Sequence, residues 1–89
     1  MAIFKLGSVV ATPGALRFCE AHEINPLTLL NRHIAGDYGD LSIEDVEANI
    51  LAVQHDLRIF SSYKFGSDKI WIITEADRSS TCLLMPDEY

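Results

Sequence analysis

The apolar residues of this chain change period at Asp56, and that switch most narrows the fold. Before it, apolar positions recur every three or four residues, as on a helix. After it, Leu57, Ile59, Ser61, Tyr63 and Phe65 alternate with Arg58, Phe60, Ser62 and Lys64, as on a strand with one buried face. Helices followed by a run of strands, in a chain of 89 residues, read as a single α+β domain over residues 1–89.

The helical part divides at its punctuation. Ile3–Ala11 reads as a first strand, with Gly7 marking a bulge or a close backbone approach. Thr12-Pro13 starts a short helix, since Thr caps and Pro at the first position leaves no N–H unpaired. Asn25-Pro26 repeats the signal for a second helix to Ala35, with Leu27, Leu30 and Ile34 as its apolar side. Ser42 caps a longer third helix, with Asp45 three residues on. Ile43, Val46, Ile50, Val53 and Leu57 give that helix an apolar stripe expected to face the core. Glu44, Asp45 and Glu47 lie at its N-terminus, where the helix dipole favours negative charge.

In the strand part, Gly66-Ser67-Asp68 is a tight connection. Ile70-Trp71-Ile72-Ile73 is apolar on both faces and reads as central. Thr81–Met85 is the last strand, stopped by Pro86. The expected order is strand, two short helices, one longer helix, then a three-stranded antiparallel meander with the first strand at one edge.

Charge narrows the function. Thirteen acidic and seven basic side chains give a net charge of −6, whereas nucleic-acid affinity rests on Lys and Arg that release counterions. A direct nucleic-acid binder is therefore not expected, and a protein partner with a basic surface suits the balance better. No run approaches a membrane span and no leader is visible, so the expected location is cytoplasmic, with no membrane partner. Cys19 and Cys82 then read as buried thiols. A domain this small also gains from pairing, which keeps a homodimer in view.

No constellation carries obvious chemistry. Thr12-Pro13-Gly14 lacks the lysine and glycines of a phosphate loop. His22, His33 and His55 match no metal spacing with either cysteine, and no cofactor motif is present. No catalytic residue is assigned. Two loops remain as partner-binding candidates. Asp37-Tyr38-Gly39-Asp40 places an aromatic anchor between carboxylates, although turn chemistry alone explains its composition. Thr74–Ser80 offers Glu75, Asp77 and Arg78, the carboxylates as an acid–base pair or a solvated turn, and the guanidinium as an anion clamp.

Four segments resemble a family of short bacterial proteins found on plasmids and integrated mobile elements. They are VVATPGAL at 9–16, RHIAGDYGDL at 32–41, IWIITEADRS at 70–79 and LMPDEY at 84–89. Many members carry the label "plasmid-related protein", and some a restriction–modification subunit label. The chain is far too short for a methyltransferase cofactor domain. Tyr38 stands where Trp is usual, and Leu-Met-Pro where Leu-Leu-Pro is. The resemblance implies a mobile-element protein and brings no activity, cofactor or catalytic residue. The expected function is a non-enzymatic protein-interaction module, with inhibition of a host defence complex such as a CRISPR effector as one role. The alternative is a small RNA-cleaving toxin-like enzyme, suggested by element order alone.

Overall fold

A computed structural model describes residues 2–89. Its elements are β1 (Ser8–Ala11), α1 (Pro13–Ala21), α2 (Pro26–Ile34), α3 (Ile43–His55), β2 (Ile59–Phe65), β3 (Asp68–Thr74) and β4 (Ser80–Leu84), ending in a 3-10 turn, Pro86–Glu88. The class is α+β, as the change of period at Asp56 implies. All three helix starts carry the expected caps. The Thr12 hydroxyl accepts from the Ala15 N–H, the Asn25 side chain from Leu27, and the Ser42 hydroxyl from Asp45.

The four strands lie in the order β1-β4-β3-β2. β2, β3 and β4 are antiparallel neighbours, with Phe60 opposite Ile73 and Ile73 opposite Cys82. β1 pairs with β4 in parallel, Val9 opposite Thr81, so the sheet as a whole is mixed rather than strictly antiparallel. The first strand is also shorter than the expected Ile3–Ala11. Gly7, at φ +65°, turns the chain against the backbone of Arg78 and Ser79, where a Cβ has no room. Pairing begins only beyond it.

One face of the sheet carries the helices. Ala15, Phe18 and Cys19 of α1 and Leu29 and Leu30 of α2 pack on Tyr63, Ile70, Ile72 and Leu83 in the main core. Burying side chains of this size stabilises by roughly 1.5–3 kcal/mol each. A second small cluster joins Tyr38, Ala52 and Ile59, with Phe4, Leu41 and Val53 against it.

Helix α3 uses only part of the stripe expected of it, with Val53 against the second cluster. Its buried residues are Asn49 and Ala52, while Ile43 is 76% exposed and Ile50 and Leu57 are each 52% exposed. The reason lies in where the helix sits. Asn49 donates through Nδ2 to the Phe60 carbonyl at 2.7 Å, and its Oδ1 accepts from the Phe60 N–H at 3.0 Å. The helix is thereby held along the edge of β2, and the Ile43 and Ile50 side of its stripe is rotated outward. The α2 stripe shifts in the same way, with Leu29, Leu30 and His33 buried and Leu27 exposed.

Candidate interaction surface

The two edges of the sheet are finished differently. Along β2 the outward backbone groups are taken one by one. Phe60 is satisfied by Asn49. Ser62 donates to the Tyr38 carbonyl at 3.0 Å and accepts from the Asp40 N–H at 2.7 Å. The Lys64 N–H donates to the Asp40 carboxylate at 2.9 Å. Such covering is how proteins keep an edge from pairing with another chain.

Among the described residues the β1 edge has no equivalent. Ser8 and Thr12 donate to the carbonyls of Ser79 and Leu83. The alternation of a ladder therefore turns the N–H and C=O of Val9 and Ala11 away from β4. The strand reads Ser-Val-Val-Ala, without charge or proline, and Val9 and Val10 are 46% and 51% exposed. It has the features that protected edges avoid.

The helix-free face of the sheet is also unusual. Register sets Phe60, Ile73, Cys82 and Val10 in one row across all four strands. A solvated face of an antiparallel sheet normally alternates to polar residues. Beside that row, Arg58, Phe60, Trp71, Ile73 and Tyr89 line a hollow of about 190 Å³. Trp71 sits edge-on between Phe60 and Tyr89, at 5.0 and 5.9 Å between ring centres. Its indole N–H is buried without a hydrogen-bond partner among the described residues, which costs free energy unless something else accepts it. Arg58 donates to the Tyr89 hydroxyl and reaches Glu75 at 3.5 Å, holding the C-terminal turn over this face. In the sequence these residues are marked as a group only by the apolar parity of Phe60, Trp71 and Ile73, opposite to that of the core.

The loop candidates are placed as follows. Tyr38 is 6% exposed and belongs to the second core cluster, which corrects its reading as an exposed anchor. Its ring is buried with Ala52 and Ile59 and against Phe4, which accounts for an aromatic there. Asp37 is held by Arg32 at 2.7 Å, and that guanidinium keeps its carboxyl below the usual carboxylate range. Asp40 closes the β2 edge. Glu75 faces Arg58, and Asp77 accepts from the Ser79 N–H at 3.0 Å. Arg78 is committed to backbone. Its guanidinium donates to the carbonyls of Leu57 (2.7 Å), Ala52 (2.9 Å), Glu75 (3.1 Å) and Ala76 (3.1 Å). It ties the β3–β4 turn to the end of α3, and few donors remain for an anion.

One buried polar chain went unseen in the sequence. His33 is fully buried, with Nδ1 2.5 Å from the Ser61 hydroxyl and Nε2 2.9 Å from that of Thr74. Thr74 lies 2.7 Å from Thr81, which donates to the Leu6 carbonyl at 2.7 Å. The carbonyl can only accept, so the Thr81 proton points to it. Thr74 must then donate to Thr81, His33 Nε2–H to Thr74, and Ser61 to the bare Nδ1. Burial pushes the His33 pKa down to about 4, so the ring is neutral. The Ser61–His33 contact has the pairing of a nucleophile and base, but both side chains are enclosed and neither lines the aromatic hollow. Nor do they line the polar one of about 410 Å³ bounded by Asp40, Ser62, Lys64, Asp68 and Lys69. Burial also pushes both thiols, Cys19 and Cys82, upward, away from the reactive thiolate.

No helix among the described residues is long and apolar enough to cross a membrane. Set beside known proteins, the chain matches no family model, no curated protein and no solved structure.

Proposed function

We propose that this protein is a non-enzymatic interaction module whose β1 edge accepts an extended segment of a protein partner as a fifth strand. The observation that carries the reading is the contrast between the edges. β2 has outward groups occupied by Asn49, Tyr38 and Asp40, whereas on β1 those of Val9 and Ala11 meet no partner among the described residues. Strand addition draws affinity from main-chain hydrogen bonds and specificity from alternate side chains. Here the added strand would continue the apolar row that ends at Val10. With a net charge of −6, the domain favours a partner that is uncharged where it pairs and basic around it. A mobile-element protein inhibiting a host defence complex, such as a CRISPR effector, fits this description.

The test is Val9→Pro. Proline removes the outward N–H at Val9 and leaves the β1–β4 bonds untouched. Tagged wild-type protein, captured from its host, should retain a stoichiometric protein partner. The variant should lose it while melting within a few degrees of wild type. Equal retention by the variant would refute the edge as the site. RNA cleavage with growth arrest on expression would replace this reading with that of a toxin-like enzyme.

A further inference from the structure

We propose that the C-terminal segment Met85–Tyr89 is a lid, clasped by Glu88 to the start of α1, that opens on its own and uncovers the aromatic hollow around Trp71. In the closed state Tyr89 walls that hollow together with Arg58, Phe60, Trp71 and Ile73. Its ring centre lies 5.9 Å from that of Trp71. This goes beyond strand addition at β1 and does not depend on it.

The clasp joins two stretches from opposite ends of the chain, Thr12-Pro13-Gly14 and Pro86-Asp87-Glu88-Tyr89. The Glu88 carboxylate accepts from the Thr12 hydroxyl at 2.6 Å and from the Met85 N–H at 2.7 Å. It sits at the N-terminus of α1, where the helix dipole favours an anion. The Thr12 hydroxyl therefore works twice, accepting from the Ala15 N–H as the cap and donating to Glu88. The approach is close. A Cβ on Gly14 would stand 2.5 Å from Glu88 Oε2, so glycine leaves the carboxylate its place.

The fastenings are polar and the segment beyond Met85 buries little. No residue of Pro86–Glu88 is buried, and Tyr89 is 71% exposed. Met85 packs on the main core and is the hinge. The second clip is the Arg58 guanidinium on the Tyr89 hydroxyl, also at the surface. Hollows flank the segment on both sides. Tyr89 borders the aromatic one, and Met85, Pro86 and Asp87 border another of about 290 Å³ with Ser67, Asp68 and Lys69. Exposed hydrogen bonds and ion pairs hold weakly in water. A segment with few buried apolar contacts opens at less than the cost of global unfolding. Opening breaks the Glu88 and Tyr89 contacts and leaves the ladders of the sheet whole.

Trp71 is the chain's one tryptophan, so its fluorescence reports on the hollow. Glu88→Ala and Gly14→Ala should each raise acrylamide quenching at least ~2-fold and shift the emission to the red. Gly14→Ala is the sharper probe and decides the matter if Glu88→Ala disturbs folding. The atoms its methyl displaces are the far end of a side chain, and alanine suits a helix better than glycine, so the melting temperature should not fall. Glu88→Gln keeps an acceptor for Thr12 and should lie between wild type and Glu88→Ala. In native-state hydrogen exchange the Met85 amide, which Glu88 holds, should exchange at least ~100-fold faster than the ladder amides of β3. Val9→Pro should change none of these readouts, so the lid and the β1 edge are tested separately. Unchanged quenching in both alanine variants, or a Met85 amide that exchanges only with the β3 ladder, overturns the proposal. So does quenching in Gly14→Ala that rises only with a fallen melting temperature, because the segment would then be part of the cooperative fold.

Discussion

Asn49 pairs with Phe60 as though it were a strand residue, its side-chain amide donating to the Phe60 carbonyl and its Oδ1 accepting from the Phe60 N–H. One helical side chain thus completes the outer ladder of β2 and fixes the rotation of α3. Asn49→Leu keeps the number of side-chain heavy atoms and strands both backbone groups, which should cost about 2–4 kcal/mol. Asn49→Asp keeps an acceptor and loses the donor, and it adds a buried charge, so it should not rescue. Urea unfolding checks both. An Asn49→Leu protein that also aggregates at its midpoint would show that this contact protects the β2 edge.

His33 gives the fold a pH dependence of definite sign. Its folded pKa is about 4, below the ordinary 6.5. The unfolded chain therefore binds a proton at a pH where the folded chain does not. Stability from this group is complete above pH 6.5, falls as pH drops, and levels off below about 4, a total on the order of 3 kcal/mol. Asp37, Asp77 and Glu88 have carboxyl pKa values lowered by hydrogen bonding, and their contribution is lost at more acid pH. Thermal melts between pH 4 and 6.5 should show the slope, and ring NMR should place the His33 midpoint near 4. A midpoint near 6.5 would mean that the imidazole is solvated and the hydroxyl chain open.

Arg78 combines a strained backbone with a well-occupied side chain. Its φ is +61°, and its guanidinium serves four carbonyls. Arg78→Ala loses the bonds and keeps the strain. Arg78→Gly loses the bonds and relieves it. Alanine should therefore be the worse substitution by roughly 1 kcal/mol, with both clearly below wild type. Denaturant midpoints of the pair separate the two effects. Equal values would show that the turn relaxes when the guanidinium is removed.

Local signals in the sequence carried most of the fold. Thr12, Asn25 and Ser42 cap helices because the bonds they make lie within three residues, and the change of period at Asp56 reflects where side chains can point on a helix or a strand. What the pattern could not carry was the identity of the covering partner. The stripe from Ile43 to Leu57 is apolar, but nothing in its spacing says that Asn49 would take the inward position. Tyr38 looked like a loop anchor because its neighbours are polar. Phe4, Ala52 and Ile59, the residues that bury it, are distant in the chain. The direction of β1 depends on contacts with β4 some seventy residues away. For the site, nothing in the residue pattern distinguishes one sheet edge from the other. Which edge is open emerges from the Asn49, Tyr38 and Asp40 contacts on the other one.

Two glycines offer a matched comparison for that closed edge. Gly39 and Gly66 both have positive φ, +76° and +65°. A Cβ at Gly66 meets nothing within 4 Å, whereas one at Gly39 runs into the Ser62 carbonyl and the Tyr63 ring. Gly39 also bridges to Ser62 in the segment that covers β2. Gly66→Ala should cost only the backbone conformation, about 1 kcal/mol. Gly39→Ala adds a collision with main chain that cannot move without opening the Tyr38–Ser62 and Asp40–Ser62 bonds, and should cost roughly 2–4 kcal/mol. Urea midpoints at constant slope measure the difference. Slowed hydrogen exchange at the Ser62 amide in wild type, lost in Gly39→Ala and retained in Gly66→Ala, would locate it at the edge. If the two variants are equally stable, the loop yields at no cost and the β2 edge is less firmly closed than its hydrogen bonds indicate.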